Sequence, residues 1–363
     1  MAEIRIEQLH KAFDQFVAVR DSTMTIPDGS FFVLLGPSGC GKTTTLRMIA
    51  GLELPTSGRI LLGGEDVTFR RAAERDIAFV FQLFALYPHM NVRQNIGFPL
   101  RCQGMKRSEI RQRVAETAKL LRIDGLLDRR VSGLSGGDRQ RVALGRAIVR
   151  RPMCFLMDEP LGALESEFRH LMCGELRDLH DRIRATTVYV THDQLEAMSM
   201  ADYIAVMNRG VIEQVGQPQE IYDRPVSMFV ADFIGSPPMG FLRFEGKVAR
   251  GERGVRIGPA DIAVPEIRED RGPGPLVLGV RPEHILLDDA AALRGRVFGV
   301  EYLGTTQVVT IDTESGQVRA RLPSAQPARA GETVGLRLVA ERLSLFDGAS
   351  GRALRSALTE GAA

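Results

Sequence analysis

Residues 31–52 read FFVLLGPSGCGKTTTLRMIAGL. The stretch opens with five apolar residues in a row, which is typical of a strand buried on both faces of a parallel sheet. A glycine-rich loop follows, and the segment after it has the apolar spacing of a helix. A strand, a loop and a helix in this order predict an α/β domain built around a parallel sheet.

The glycine-rich loop fits the pattern G-x-x-x-x-G-K-[ST], from Gly36 to Thr43. Such a loop turns consecutive backbone N–H groups inward at a helix N-terminus, where the helix dipole also favours anions. The pattern predicts a nucleoside triphosphate site, in which Lys42 reaches the β- and γ-phosphates and the Thr43 hydroxyl ligates Mg²⁺. The candidate nucleotide-binding residues of the loop are Gly36, Pro37, Ser38, Gly39, Cys40, Gly41, Lys42, Thr43 and Thr44.

A second apolar run ends in two adjacent carboxylates, Asp158 and Glu159. Ligand chemistry in a parallel sheet takes place at the carboxyl ends of its strands. We expect Asp158 to hold Mg²⁺ and Glu159 to act as the base that positions and polarises an attacking water. Acidic pairs at strand ends are often plain turns, but the phosphate loop upstream favours the catalytic interpretation.

Other patterns predict the rest of the organisation. The opening pieces IRIEQL and VAVRDSTMTI alternate apolar and polar residues like an antiparallel strand pair. A charged, helix-friendly region at about 88–150 predicts a helical insertion, and a helix over 165–184 precedes a further strand, TTVYVTHD. Short β-rich pieces then follow at intervals of roughly ten residues and predict a small all-β barrel or sandwich. We therefore expect domains at 1–236 and 237–363.

The composition excludes several classes of protein. The formal net charge of the 363 residues is +2, too balanced for the basic surface that nucleic-acid binding usually needs. The four cysteines are widely spaced without a zinc or disulfide pattern, which favours reduced thiols. The start of the chain carries Glu3 and Glu7 where a signal peptide would be basic, and no apolar run reaches the ~20 residues of a membrane span. If the protein acts at a membrane, we expect other chains to hold it there.

The tetrapeptide LSGG at residues 134–137 resembles the signature motif of ATP-binding-cassette (ABC) ATPases. Two further motifs occur in the same order along the chain as in that family. Gln82 follows a phenylalanine as in the Q-loop, and His192 lies in a THD tripeptide like the switch histidine. Phe13 stands where the family has an aromatic that stacks on adenine, and Phe16 is a nearby competitor for that role. Each of these motifs, taken alone, is more often an ordinary turn, surface or core residue. The resemblance to the family therefore rests on all of them occurring in the family's order along the chain.

The resemblance implies a P-loop NTPase fold of the ABC type, with a RecA-like sheet core, a helical subdomain and a C-terminal regulatory all-β domain of the OB/TOBE type. It also implies that two subunits face head to tail, with each ATP between the P-loop of one and the signature of the other. Ser135, Gly136 and Gly137 would then bind the γ-phosphate across the interface. His192 would hydrogen-bond the γ-phosphate, and Gln82 would contact Mg²⁺ and the attacking water.

Longer stretches, among them FALYPHMNVRQNI, IYDRPVSMFVADFIGSP and GVRPEHI, resemble the ATPase subunits of carbohydrate importers of the maltose, glycerol-3-phosphate and multiple-sugar group. This implies two integral-membrane permease subunits that contact residues 83–90, although a buried apolar connector is the alternative there. It further implies a second ATPase subunit, identical or paralogous, a periplasmic or extracellular solute-binding protein, no nucleic acid, and a peripheral location at the cytoplasmic face of the inner membrane. The alternatives are an importer of glycerol, glycerol phosphate, polyamine or an inorganic anion, and a soluble ABC ATPase.

Two departures from the family pattern are visible. Asp138 stands where signature motifs of this group usually end in Gln or Glu, and residues 162–165 read GALE where the loop usually resembles S-x-L-D. We hypothesise that these changes reflect pairing with a second, non-identical ATPase. The element at residues 281–284, RPEH, resembles the family's dimer-contact and regulatory region, and a plain turn is the alternative.

Overall fold

The computed structural model describes residues 2–82, 84–162, 164 and 166–359 of the chain. Leu83, from the predicted permease contact, and Ala163 and Glu165, from the departing loop, lie outside the described residues. The chain forms two compact units, Met1–Pro218 and Gln219–Ala363. The domain boundary between residues 236 and 237 stays a prediction.

The first unit contains ten strands and six α-helices within the described residues. Its strands are β1 (Ile4–Phe13), β2 (Phe16–Ile26), β3 (Phe31–Leu35), β4 (Ser57–Leu62), β5 (Glu65–Asp66), β6 (Ile77–Val80), β7 (Cys154–Asp158), β8 (Thr186–Thr191), β9 (Tyr203–Asn208) and β10 (Val211–Gly216). Its helices are α1 (Lys42–Ala50), α2 (Val92–Cys102), α3 (Arg107–Leu120), α4 (Gly136–Ile148), α5 (Ser166–Ile183) and α6 (Gln194–Met200).

A six-stranded sheet with the order β10-β9-β3-β8-β7-β6 forms the centre of this unit. The strands from β9 to β6 are parallel, and β10 is antiparallel to β9 at the edge. Every residue of β3, β7 and β8 is buried. The apolar runs of β3 and β7 predict this for strands covered on both faces, whereas β8 also buries three threonines. The expected α/β core with a parallel sheet is therefore confirmed.

A second, antiparallel sheet has the order β2-β1-β4-β5. The register of β1 and β2 runs from Ile4 opposite Ile26 to Phe13 opposite Phe16, so the predicted antiparallel pair is confirmed. Ile4 and Ile6 on β1 are fully buried and share one apolar core with residues of the central sheet. This packing fixes β2 beside the loop that follows β3. The helices α2 to α4 lie within the predicted helical insertion.

The second unit is built mainly from antiparallel strands. Its sheets have the orders β11-β14-β20, β12-β13 and β15-β19-β16-β17-β18, with a shared apolar core, and they confirm the predicted all-β part. Its strands are β11 (Gly240–Val248), β12 (Gly254–Ile257), β13 (Ala260–Ala263), β14 (Arg271–Val280), β15 (Ile285–Leu287), β16 (Arg294–Tyr302), β17 (Thr306–Thr313), β18 (Gly316–Pro323), β19 (Thr333–Leu338) and β20 (Ser344–Asp347), and two short helices, α7 (Pro218–Asp223) and α8 (Met228–Phe233), precede them.

Arg281 lies inside the second unit with 1% of its surface exposed. Its guanidinium stacks 4.1 Å above the Tyr222 ring and donates hydrogen bonds to the backbone carbonyls of Tyr222 and Ala231. A buried cation needs such partners, so this side chain stabilises the unit from within. A regulatory role of the RPEH element stays a prediction. Among the described residues, no helix is both long enough and apolar enough to cross a bilayer.

Candidate nucleotide-binding site

The loop between β3 and α1 is packed against two neighbouring strands. Gly41 has a φ of 104°, and a Cβ atom there would lie 2.4 Å from the carbonyl oxygen of Ala18 in β2. At Gly36, a Cβ atom would lie 2.3 Å from the carbonyl oxygen of Met207 in β9. Both distances exclude any larger residue, so the glycines are required for the loop to lie in this position.

Lys42 is the first residue of α1, and only 4% of it is exposed. Its Nζ donates hydrogen bonds to the carbonyl oxygens of Gly36 at 2.8 Å and Pro37 at 2.9 Å, so the ammonium lies inside the curve of the loop. It is one of only five lysines among 47 basic residues. A compact ammonium fits this enclosed position, whereas the planar fork of an arginine requires more space.

Thr43 and Asp158, two predicted Mg²⁺ ligands, lie together. The Thr43 hydroxyl donates to Asp158 Oδ1 at 2.8 Å. Burial raises the pKa of Asp158, and the Thr43 hydrogen bond and Arg47 only partly oppose this shift. A hydroxyl and a carboxylate are hard oxygen donors, and Mg²⁺ is commonly held by one or two such groups together with substrate phosphates. The donor set therefore fits this ion.

Glu159 is the meeting point of the three predicted catalytic residues. Its Oε1 lies 3.2 Å from Nδ1 of His192, and its Oε2 accepts a hydrogen bond from Gln82 Nε2 at 3.4 Å. The backbone of Glu159 has a φ of 43°, and its N–H donates to the Val190 carbonyl at 3.1 Å. A non-glycine residue in this left-handed region is strained, and such strain is concentrated at functional sites. The turn brings the carboxylate at the end of β7 to the histidine that follows β8.

The signature residues form a separate structure at the start of α4. Ser135 caps this helix: its Oγ accepts from the Asp138 N–H at 3.2 Å and donates to Asp138 Oδ2 at 2.8 Å. Within the described part of the chain, no hydrogen bond joins Ser135, Gly136 or Gly137 to the loop at residues 36–44. The structure thus brings together the loop, the acidic pair, Gln82 and His192, and it leaves the signature as a second site.

The two candidate adenine-stacking residues lie at the tip of the β1–β2 hairpin. Phe13 is 43% and Phe16 61% exposed, and they face each other in the strand register. Lys11 Nζ lies 4.5 Å from the centre of the Phe13 ring. Since β2 contacts the phosphate loop at Ala18, both aromatic rings remain candidates for the stacking role.

Two arginines near the site have no motif in the sequence to mark them. Arg146 in α4 donates to the carbonyl oxygens of Phe84 and Ala85, just after the predicted Q-loop. Arg169 in α5 contacts the segment after Glu159 and the loop that carries His192. Arg146 and its partners lie about 60 residues apart, and Arg169 and Asp193 lie 24 apart, so no spacing rule could have revealed these contacts.

Comparisons with known proteins agree with this geometry. The family model described as ABC transporter matches residues 19–162, and the TOBE domain model matches residues 278–346. The trehalose import ATP-binding protein of Mycobacterium tuberculosis is 45% identical over 97% of this chain and 98% of its own length. The chain belongs to the ATP-binding proteins of ABC transporters. It is accordingly an ATPase, and the expected fold class of an ABC domain with a C-terminal TOBE domain is confirmed.

Other relatives of this ABC ATPase differ in what their names say they transport. The sn-glycerol-3-phosphate import ATP-binding protein of Salmonella typhimurium is 44% identical over 97% of this chain and 99% of its own length. The solved structure of cbiO1 from Clostridium perfringens, part of the ABC transporter complex cbiONQ, matches with a TM-score of 0.57 and 28% identity, over 60% of this chain and 89% of that one. Family membership implies membrane permease partners and a second ATPase subunit.

Proposed function

We propose that this ABC ATPase energises a binding-protein-dependent importer for a carbohydrate or polyol-type solute. The contact of Glu159 with both His192 and Gln82, beside the Thr43–Asp158 pair, is the observation that supports the hydrolytic role. Relatives that match nearly the whole chain are named for import of trehalose and of sn-glycerol-3-phosphate, which supports the solute class. Import of another small solute, such as a polyamine or an inorganic anion, is the second candidate.

The phosphate loop binds the nucleotide in this proposal. The glycines let the backbone N–H groups at the start of α1 face the phosphates, and Lys42 leaves its carbonyl partners to contact the β- and γ-phosphates. Thr43 and Asp158 would hold Mg²⁺ with help from Gln82. The ion, when bound, neutralises charge on the phosphate oxygens. Phe13 or Phe16 stacks on the adenine.

Glu159 acts on the water that attacks the γ-phosphorus. Its carboxylate accepts a hydrogen bond from this water and takes up the proton as the new P–O bond forms and the bond to the β-phosphate oxygen breaks. Gln82 holds the water from the other side. His192, already within hydrogen-bond distance of Glu159, donates to the γ-phosphate and so keeps the base and the phosphate in line.

The signature residues of a facing subunit complete the site. Ser135, Gly136 and Gly137 of that subunit would supply further hydrogen-bond donors to the γ-phosphate, which the phosphate loop alone lacks. Loss of the γ-phosphate removes these contacts, so hydrolysis opens the pair of subunits. The second subunit is either another copy of this chain or a paralogue.

A groove beside α2 is the proposed docking place of a permease subunit. A cavity of about 510 Å³ lies next to residues 84–90, and its lining includes Phe79, Phe81, Tyr87, Phe98 and Arg146. Arg146 fixes the backbone at residues 84 and 85 and lies 5.3 Å from the centre of the Tyr87 ring. An aromatic groove of this kind suits the apolar face of a partner helix. Docking there would hold the ATPase at the cytoplasmic face of the inner membrane, with a solute-binding protein on the opposite side.

Substitution of Glu159 by Gln tests this proposal. Glutamine keeps the size of the side chain and removes its ability to take a proton, so ATP binding should persist while hydrolysis falls about 100-fold or more. Uptake of labelled sugars, polyols and glycerol phosphate should be lost together with hydrolysis. Glu116→Gln, an exposed carboxylate on α3, is the matched control and should leave both unchanged. Unchanged uptake in Glu159→Gln would remove the proposed base, and uptake of only unrelated solutes by the unmodified transporter would favour the second candidate.

A further inference from the structure

Arg169 in α5 joins two segments that flank the proposed catalytic residues. Its Nη2 donates to the Leu164 carbonyl oxygen at 3.0 Å, in the segment that follows Glu159. Its Nη1 donates to Asp193 Oδ2 at 3.2 Å, directly after His192. The side chain is 26% exposed, so much of this contact is shielded from water. One guanidinium thus holds both segments at a fixed separation.

The residues on either side of His192 are tightly held. Asp193 caps α6 by accepting hydrogen bonds from the backbone N–H groups of Leu195 and Glu196. The Asp193 N–H donates to Thr191 Oγ1 at 3.0 Å, and the Thr191 hydroxyl donates to Glu196 Oε2 at 2.6 Å. The His192 side chain itself is 52% exposed, and Glu159 is its hydrogen-bond partner within the described residues. Its position is therefore set by its backbone neighbours.

Glu196 gives Arg169 a third contact. It is 4% exposed, and Tyr189 donates to its Oε2 at 2.8 Å in addition to Thr191. Burial raises the pKa of Glu196, while these hydrogen bonds and the charge of Arg169 oppose the rise. Arg169 Nε lies 3.7 Å from Glu196 Oε1. A buried carboxylate without a nearby cation destabilises the fold, so the ion pair with Glu196 also holds Arg169 in place.

We propose that Arg169 is a positioning residue for hydrolysis, which keeps the Glu159 carboxylate within hydrogen-bond distance of His192. The inference rests on the proposed function of these two residues. The backbone carbonyl at Leu164 and the carboxylate of Asp193 belong to separate segments, and the guanidinium limits their relative movement. A displacement of about 1 Å between reacting groups can cost 100-fold in rate, so this restraint matters for catalysis even though Arg169 does not touch the nucleotide.

Two substitutions at Arg169 and one control test the inference in the full chain. Arg169→Met removes both donated hydrogen bonds and the charge, and Arg169→Lys keeps the charge with a single ammonium. The control is Arg177→Met. Arg177 lies on the same helix and makes the same kind of contact, to the Met200 carbonyl at 2.8 Å and to Asp202 at 2.9 Å, but neither partner is in the segment after Glu159 or next to His192.

We expect Arg169→Met to lower kcat for ATP hydrolysis by 10- to 100-fold while the Kd for ATP changes less than about threefold. Arg169→Lys should recover part of kcat. Arg177→Met should lower the thermal unfolding temperature about as much as Arg169→Met does and leave kcat unchanged. Equal kcat loss in Arg177→Met, or a kcat loss in Arg169→Met no larger than its loss of folded protein, would overturn the inference.

A second background separates this inference from the proposed function. In His192→Ala, the residue that Arg169 positions is gone, so adding Arg169→Met should lower kcat by less than twofold more. A full further loss in the double variant would overturn the positioning role. If His192→Ala alone leaves hydrolysis unchanged, the proposed role of His192 is wrong and the inference fails with it. If His192→Ala loses hydrolysis but Arg169→Met does not, only the inference is refuted.

Discussion

The starts of α1 and α4 are both proposed to bind phosphate, and they are built in opposite ways. No side chain caps α1, and the buried ammonium of Lys42 lies beside its first turn. In contrast, Ser135 caps α4, and its hydroxyl proton is directed at the carboxylate of Asp138. The start of α1 therefore offers hydrogen-bond donors and a positive charge. At the start of α4, the Ser135 hydroxyl already donates its hydrogen bond to a negatively charged carboxylate.

The charge of Asp138 is only partly compensated by its neighbours. Arg141 lies 3.8 Å away, but its guanidinium donates two hydrogen bonds to Glu175, at 3.1 and 2.8 Å. Ser135 must release its bond to Asp138 before it can donate to a phosphate. Thus α1 can hold an anion with this chain's own groups, while binding at α4 has to displace an existing contact.

Replacement of Lys42 by Ala should have the largest effect, because it removes the positive group that distinguishes α1. We expect hydrolysis to fall by about 100-fold or more and the Kd for ATP to rise, as measured by a radiolabelled phosphate-release assay and by nucleotide titration. Lys119→Ala, an exposed lysine on α3, is the control. Hydrolysis at the normal rate in Lys42→Ala would show that the ammonium of Lys42 is not what enables α1 to bind phosphate.

Replacement of Asp138 by Asn should have a smaller effect of the opposite sign. Asparagine keeps the capping geometry and removes the negative charge near the proposed γ-phosphate position. Because the site is partly exposed, we expect the KM for ATP to fall only about two- to fivefold. Asp178→Asn, an exposed aspartate on α5, should leave KM unchanged. A rise in KM for Asp138→Asn would mean that the carboxylate helps binding at α4.

The smallest effect concerns the accessibility of the loop before α1. Cys40 is 4% exposed, and burial raises the pKa of its thiol above the usual value, although Lys42 partly opposes the rise. Its thiolate is therefore scarcer at neutral pH than that of an ordinary cysteine and increases as the pH rises through this pKa. A bulky thiol reagent should label Cys40 several-fold more slowly than the exposed Cys102, and faster as the pH rises.

Mass spectrometry of the labelled peptides measures both rates in one sample, with Cys102 as the internal control. We expect prior ATP to protect Cys40 and complete labelling to block nucleotide binding. Full activity after stoichiometric modification of Cys40 would show that the loop tolerates bulk at this position. It would then be less tightly packed than the glycine contacts to Ala18 and Met207 indicate.

Some elements were predictable because their local pattern has one physical solution. The apolar runs of β3 and β7 favour burial on both faces, and the alternation in β1 and β2 favours burial on one. The strand β6 reads IAFV, and an apolar run this short does not by itself distinguish a buried strand from a buried helix segment. The candidate residues in motifs could be named for the same reason: each motif is contiguous along the chain.

The phosphate loop, the acidic pair, the signature and the two-part α/β and all-β organisation follow from the sequence alone, because these depend on residues adjacent in the chain. The tertiary structure is needed to see that His192 and Gln82 meet at Glu159, that the Ser135 hydroxyl donates a hydrogen bond to Asp138, and that Arg169 joins Leu164 to Asp193. Contacts such as these depend on the directions of side chains and on how strands and helices pack. Packing depends on the whole core at once, and no local pattern of residues contains it.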